Sequence, residues 1–258
     1  MMKTLKFTYS TGNTTSRFNA ARQPFVSLCL GASMVFATML VPAVQAQVPL
    51  VEQIDIASQR MDVPALQQHV AQATSDYDAA FAHYRLAITA SVQENEAQLK
   101  DALSHAVTRL EAALESNALG NNERAEIYAL LAAVRGMQAG FAPIKGAYYG
   151  MRSDKAINSA KQLAPNNPRV LLVSAILSYQ TPSMFGGDVQ IARRDVEAAL
   201  TAFNQPCQQY CWGQAEAYVW RGLMKKSVGD VAGAKADWAL ALQQAPSYQW
   251  PQQLLARR

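Results

Sequence analysis

Histidine and cysteine each occur only three times in these 258 residues, and neither is arranged as a metal site requires. No His-x-x-x-His, no Cys-x-x-Cys-His and no clustered acidic ligand set is present. His69 and His83 share a helix face at best about 20 Å apart, at roughly 1.5 Å per residue, which is too far for one ion. His105 stands alone, so each histidine reads as a surface or satisfied core residue. A nucleophile elbow, a phosphate-binding loop and a dinucleotide fingerprint are all missing. No cofactor, no metal and no catalytic motif is therefore expected, and the reading is not an enzyme, although paired carboxylates could lie anywhere among 19 acidic residues. Alternating β-branched runs of strand length are absent too, which excludes a sheet protein.

The formal charge of +4 comes from the first 46 residues, which hold Lys3, Lys6, Arg17 and Arg22 and no acid. Removing these four from the 23 basic residues leaves 19, against 19 acidic residues. A neutral body without a basic run excludes the electrostatic footprint of a nucleic-acid binder. Basic residues, an apolar run from Phe25 to Val44 and the end Val44-Gln45-Ala46 have the order of a secretory signal cleaved after Ala46. The alternative is a membrane anchor, since a span takes roughly 20 residues, but Ser27, Gly31, Ser33, Thr38 and Pro42 interrupt the run. Leu28 stands before Cys29, where a lipoprotein signal wants a small residue. The mature protein is expected in the periplasm or outside the cell, without a membrane span. Cys207 and Cys211 then remain, an even count that in an oxidising compartment favours a structural disulfide over a redox pair. Four residues apart they can reach each other in a turn or a loosened helix end.

A short extended leader, residues 47–51, precedes a body over 52–258 in which Ala, Leu, Gln, Glu and Arg read almost throughout as helix. Breaks fall at Gly120-Asn121-Asn122, Pro165 to Pro168, Thr181 to Asp188, Gln205-Pro206, Gly229-Asp230 and Pro246-Ser247. Helical segments between such breaks make a chain of hairpins. The clearest, 215–248, has Tyr218 and Gly222 on its first helix, a Gly229-Asp230 turn, then Ala234, Trp238 and Ala241 before Pro246. Gly222 and Ala234 allow two antiparallel helices to approach closely, Trp238 fills the gap beyond, and Pro246, lacking an N–H, stops the second helix. Arg221 and Lys225 depart from the apolar and aromatic residues such a unit usually carries.

This unit resembles the tetratricopeptide repeat (TPR). Looser copies follow from Val170, Val173, Ser174 and Leu177 with Ala192, Val196 and Ala199; from Glu123–Met137, joined through Phe141–Met151 to Asp154–Leu163; and from Asp76–Ala90 with Ala106, Leu110 and Ala113. The resemblance implies an all-α, TPR-like right-handed superhelix of about four hairpins, with an N-terminal helix and a short capping helix over Trp250–Leu255. Within it, Pro165-Asn166-Asn167-Pro168-Arg169 followed by Thr181-Pro182-Ser183-Met184-Phe185-Gly186-Gly187-Asp188, with Tyr149-Gly150 upstream, is similar to a narrower group of secreted bacterial TPR-like proteins. That similarity implies fold and export, and no reaction.

In such repeats the first helices line a concave groove. The alignment places Glu216, Val219, Leu223 and Lys226 there, with Leu171, Ala175 and Ser178 from the preceding unit. The Lys, Asn and Arg set of the carboxylate-clamping TPR domains is missing, so a ligand should have an apolar component. A second candidate surface is the linker Tyr148-Tyr149-Gly150-Met151-Arg152 with Tyr179, Met184 and Phe185. An exposed Met and Phe on a long loop mark contact sites, yet an unanchored eight-residue loop with two glycines favours their tucking back over the hairpin edge. The expected function is a non-catalytic scaffold holding a protein, peptide or apolar-containing ligand in the groove. The alternatives are handing a small solute to an envelope transporter, for which a closed pocket under the Thr181–Asp188 loop would speak, and an enzyme, for which a buried carboxylate or histidine with a shifted pKa in the groove would.

Overall fold

The computed structural model describes residues 48–142, 144–207 and 209–257. Ala46–Arg258 form one compact unit. The predicted secretory signal, residues 1–46, lies outside the described residues.

Among the described residues, eleven α-helices make up the unit. The first two are α1 (Leu50–Gln59) and α2 (Val63–Gln72). Four antiparallel hairpins follow: α3 (Asp76–Val92) with α4 (Glu96–Leu114), α5 (Asn121–Phe141) with α6 (Gly146–Leu163), α7 (Pro168–Gln180) with α8 (Val189–Ala202), and α9 (Gln214–Lys226) with α10 (Val231–Gln244). The closing helix is α11 (Gln249–Ala256), which packs on α10. The four expected hairpins and the terminal cap are present. The N-terminus is corrected in two ways. One expected helix is two, because the chain turns at Arg60–Asp62 and restarts on Asp62, whose side chain accepts the Ala65 N–H. The extended leader ends early, since Pro49 caps α1 and the helix begins at Leu50.

The turn residues set the helix starts. Ser75, Asn95, Asn167, Asp188 and Asp230 each accept backbone N–H groups of the helix they precede. In the last hairpin, Gly222, Ala234, Trp238 and Ala241 are buried together with Val219, Tyr248 and Leu254. A Cβ on Gly222 would collide with the Trp238 indole, whose Nε1 donates to the Val219 carbonyl at 3.3 Å. Close approach is therefore what the glycine supplies. Burying a large apolar side chain of this kind contributes about 1.5–3 kcal/mol. The two departures from the repeat pattern are an ion-pair system: Arg221 donates to both oxygens of buried Asp237 (3.0 and 2.6 Å) and to Glu197 (2.8 Å), and Lys225 joins Asp237 at 2.8 Å.

The inner helices α3, α5, α7 and α9 pack successively on one another. The last then meets the first: Arg85 of α3 donates to Glu216 of α9 at 2.9 Å. Further links across the ends of the unit are Arg60 Nε to Ser247 Oγ (3.3 Å) and Gln249 Nε2 to the Arg60 carbonyl (2.7 Å). The repeat array closes on itself. Its four intra-hairpin turns lie at one edge. The inter-hairpin connections and α1 surround the other.

Candidate functional site: a cleft over a charged inner face

The expected concave groove is filled by the protein's own side chains. Glu126 of α5 is fully buried and accepts from Arg169 Nε at 2.7 and 2.8 Å and from Asn167 Nδ2 at 2.6 Å. Asn167 in turn caps α7 through the Arg169 and Val170 N–H groups. The Pro-Asn-Asn-Pro-Arg turn thus supplies both a helix cap and the partners of a buried carboxylate. Beside it, Arg85 joins Asp55 of α1 at 2.6 Å and Glu216 of α9 at 2.9 Å, with its guanidinium 4.9 Å from the Phe81 ring centroid and 5.2 Å from that of Trp212. Its Nε has no protein partner. A buried charge is tolerated only when paired and hydrogen-bonded, so this cation clasps α1, α3 and α9 together. Burial raises the Asp55 carboxyl above the usual carboxylate range, opposed by the Arg85 charge.

The segment between α8 and α9 plugs what remains of the inner face. Cys207 and Cys211 form a disulfide with Cα atoms 5.6 Å apart. Beside it, Tyr210 stacks on Tyr77 with centroids 3.9 Å apart, and Trp212 packs on Phe81 at 5.0 Å while donating to the Tyr77 hydroxyl at 3.0 Å. Burial and the nearby carboxylates Glu123 and Glu126 push the Tyr210 phenol up to about 12. The disulfide therefore holds a loop whose aromatic side chains occupy the space a groove-bound partner would need.

A cleft of about 1400 Å³ stays open at the inter-hairpin edge. One wall is α1; the others are the α6–α7 turn, the end of α8, the disulfide loop and the α10–α11 turn. Asp55, Glu126, Arg169, Tyr210 and Trp212 reach its floor.

Of the groove residues expected from sequence, only Leu171 lines this cleft. Val219, Ala175 and Glu216 are buried in packing or ion pairing, which corrects their assignment as groove positions. Leu223 is half-buried against the core, and Lys226 is exposed with its ammonium 5.8 Å from the Trp238 ring centroid. Tyr179 joins α7 to α9, donating to the Leu223 carbonyl at 3.4 Å. Tyr148, Tyr149 and Arg152 belong to the first turns of α6 rather than to a linker, at the opposite edge. Met184 and Phe185 form a single 3₁₀ turn and do not tuck back: they are 81% and 66% exposed. Gly187 explains how the loop stays compact without them. A Cβ there would collide with the Thr181 carbonyl, Asp188 N–H bonds to Ser178 O at 3.0 Å, and Gly186 takes φ 96°.

Sequence reasoning missed Asp55, Arg85 and Glu126, set Glu216 in an open groove instead of an ion pair, and read Arg169 only as part of a turn. The signal was a single charge on each buried stripe, as in Ala125-Glu126-Ile127 and Ala215-Glu216-Ala217, because an ion on a core face demands a partner. It also treated the histidines singly, whereas the His83 and His105 rings stack at 5.0 Å. Burial, then the neighbouring His105, lowers His83 to about 4. Among the described residues no group of three or more metal-binding side chains occurs.

A thermophilic TPR protein of Thermus thermophilus is similar in structure, with a TM-score of 0.51 at 18% sequence identity, covering 80% of this chain and 94% of that one. The fold is TPR-like. At that identity the likeness establishes the fold alone. No protein-family model and no curated protein matches the chain.

Proposed function

We propose that this protein is a non-catalytic, exported binding protein that holds an extended polypeptide segment in the inter-hairpin cleft. The observation that carries the reading is the chemistry of the cleft walls. Asn166, Gln205, Gln214 and Gln244 line it, and none of their side chains takes part in a hydrogen bond among the described residues. A free side-chain amide both donates and accepts, which matches the alternating donors and acceptors of a peptide backbone. The half-buried Tyr210 ring on the floor and Leu171 on the wall give apolar side chains a surface to lie on. A TPR-like scaffold supports a partner-holding role, and the Cys207–Cys211 disulfide supports an oxidising compartment, in keeping with the predicted signal at residues 1–46.

A catalytic reading draws on one observation, the buried and raised carboxyl of Asp55. That carboxylate is already held by Arg85 and by Gln59 Nε2 at 2.9 Å, so its environment is that of a clasp joining three helices. Neither of the two cavities described is lined by the Thr181–Asp188 loop, so that sign of a solute-handling role is lacking as well.

The test is a photo-crosslinking amino acid placed at Gln205, at Gln244 and, on the outer face of α10, at Lys235, in the protein expressed in its own host. Discrete polypeptide adducts from positions 205 and 244 but not 235 are expected. Absence of polypeptide adducts from both cleft positions, with a small mass copurifying in native mass spectrometry, would replace the peptide reading with the solute reading.

A further inference from the structure

We propose that the edge opposite the cleft is a docking surface for anionic phospholipid. The α5–α6 and α7–α8 turns are neighbours there, because α5 packs on α7 and Gly136 faces Leu177. Together they leave Phe141, Ile144, Tyr148, Met151, Met184 and Phe185 exposed, with Ile144 at 98% and Met184 at 81%. These side chains project singly from turns and a helix end. That suits insertion among headgroups better than a flat protein contact.

The charges select the occupant. Lys145, Arg152 and Lys155 are exposed at the start of α6, and none forms an ion pair among the described residues. Tyr148, Met151, Arg152 and Lys155 recur at helical spacing along one exposed face of α6. Asp154, Asp188 and Glu111 are acids nearby; Asp188 is engaged by the N–H groups of Gln190 and Ile191 at 2.7 and 3.1 Å, and Glu111 is paired with Arg135. The first turn of α6 holds no acidic residue, so its N-terminal dipole adds to the positive field. At the centre is a hollow of about 440 Å³ lined by Arg135, Lys145, Tyr148 and Tyr149. Arg135 is held by Glu111 at 2.8 Å, and the Arg152 guanidinium lies 4.9 Å from the Tyr148 ring centroid. Lys145 thus stays available to a phosphate, with the two phenols beside it as donors.

Apolar prongs around unpaired cations are complementary to an anionic leaflet, whose negative surface potential attracts basic residues held close to it. A second copy of the chain fits poorly, since a two-fold contact through this surface would set Lys145, Arg152 and Lys155 against their own equivalents. Among the described residues no helix is long and apolar enough to cross a membrane, so the contact is interfacial.

Hydrogen exchange of the full chain, with phosphatidylcholine vesicles and with vesicles in which phosphatidylglycerol replaces part of the phosphatidylcholine, tests this segment by segment. Anionic vesicles are expected to slow exchange severalfold in 141–152 and 181–189, leaving 164–167 and 245–248 unchanged. Lys145→Glu with Arg152→Glu should abolish that protection, as should Ile144→Asp with Phe185→Asp. Three results would each overturn the proposal: no protection on anionic vesicles, equal protection on neutral ones that survives the charge reversal, or the same protection without vesicles as protein concentration rises.

Discussion

The glycine–tryptophan contact of the last hairpin and the inner face of this molecule are stabilised by different chemistry. In the last hairpin, Gly222, Ala234 and Trp238 interlock by size, and their side-chain spacing is fixed within one short stretch of chain. On the inner face, Asp55, Arg85 and Glu216 are joined by charge although they come from helices far apart in the sequence. Size complementarity tolerates partial relaxation. A buried ion pair does not, because removing one partner leaves the other desolvated and unpaired. The two regions should therefore fail differently.

The largest effect is expected from Arg85→Met. It leaves Asp55 and Glu216 buried without their cation and should lower stability in urea unfolding by about 3–5 kcal/mol. Adding Asp55→Asn and Glu216→Gln should recover much of that loss, and recovery is what separates a charge effect from a packing effect. Gly222→Leu tests the other side of the comparison. It forces a side chain into the space of the Trp238 indole and should cost about 1–3 kcal/mol, with no rescue from any change of charge. Replacing Cys207 and Cys211 by Ser should cost about 2 kcal/mol from loop-closure entropy. It should also raise the acrylamide quenching of Trp212, the indole on the plug.

The smallest effect is a pH dependence. His83 has a folded value of about 4 against 6.5 as a free side chain, so the unfolded chain binds more protons between those limits. Its contribution is fully present above pH 6.5 and is lost as the pH falls to about 4. His83→Gln should flatten that part of a stability–pH profile. An unchanged slope would mean the ring is not held away from its proton.

The same contrast explains what the sequence could disclose. The hairpins were legible because Gly229-Asp230, Ala234, Trp238 and Pro246 act on near neighbours at fixed helical spacing. The disulfide was legible from its spacing and from the export expected of the chain. The closed groove was not, since nothing near Glu126 in the chain points to Arg169, and nothing near Tyr77 points to Trp212. Those pairings belong to the packing of successive hairpins. The start of α6 was missed for a local reason: Gly146, two tyrosines and Gly150 look like a loop, and only packing of Ser153, Ala156 and Ile157 against the core makes the segment a helix. Ser153 secures that docking by donating to the Ala132 carbonyl at 2.7 Å.

Closure of the repeat array on itself is what moves the open site from the concave face to the inter-hairpin cleft. The most direct measurement is thiol cross-linking of Arg60→Cys with Ser247→Cys, in a Cys29→Ser background that keeps the native disulfide, using a short bifunctional reagent. Near-complete intramolecular cross-linking is expected, falling when Arg85→Met is added. Little or no intramolecular product in the Arg85-containing protein would mean that the array is open and that the concave groove is available to a partner after all.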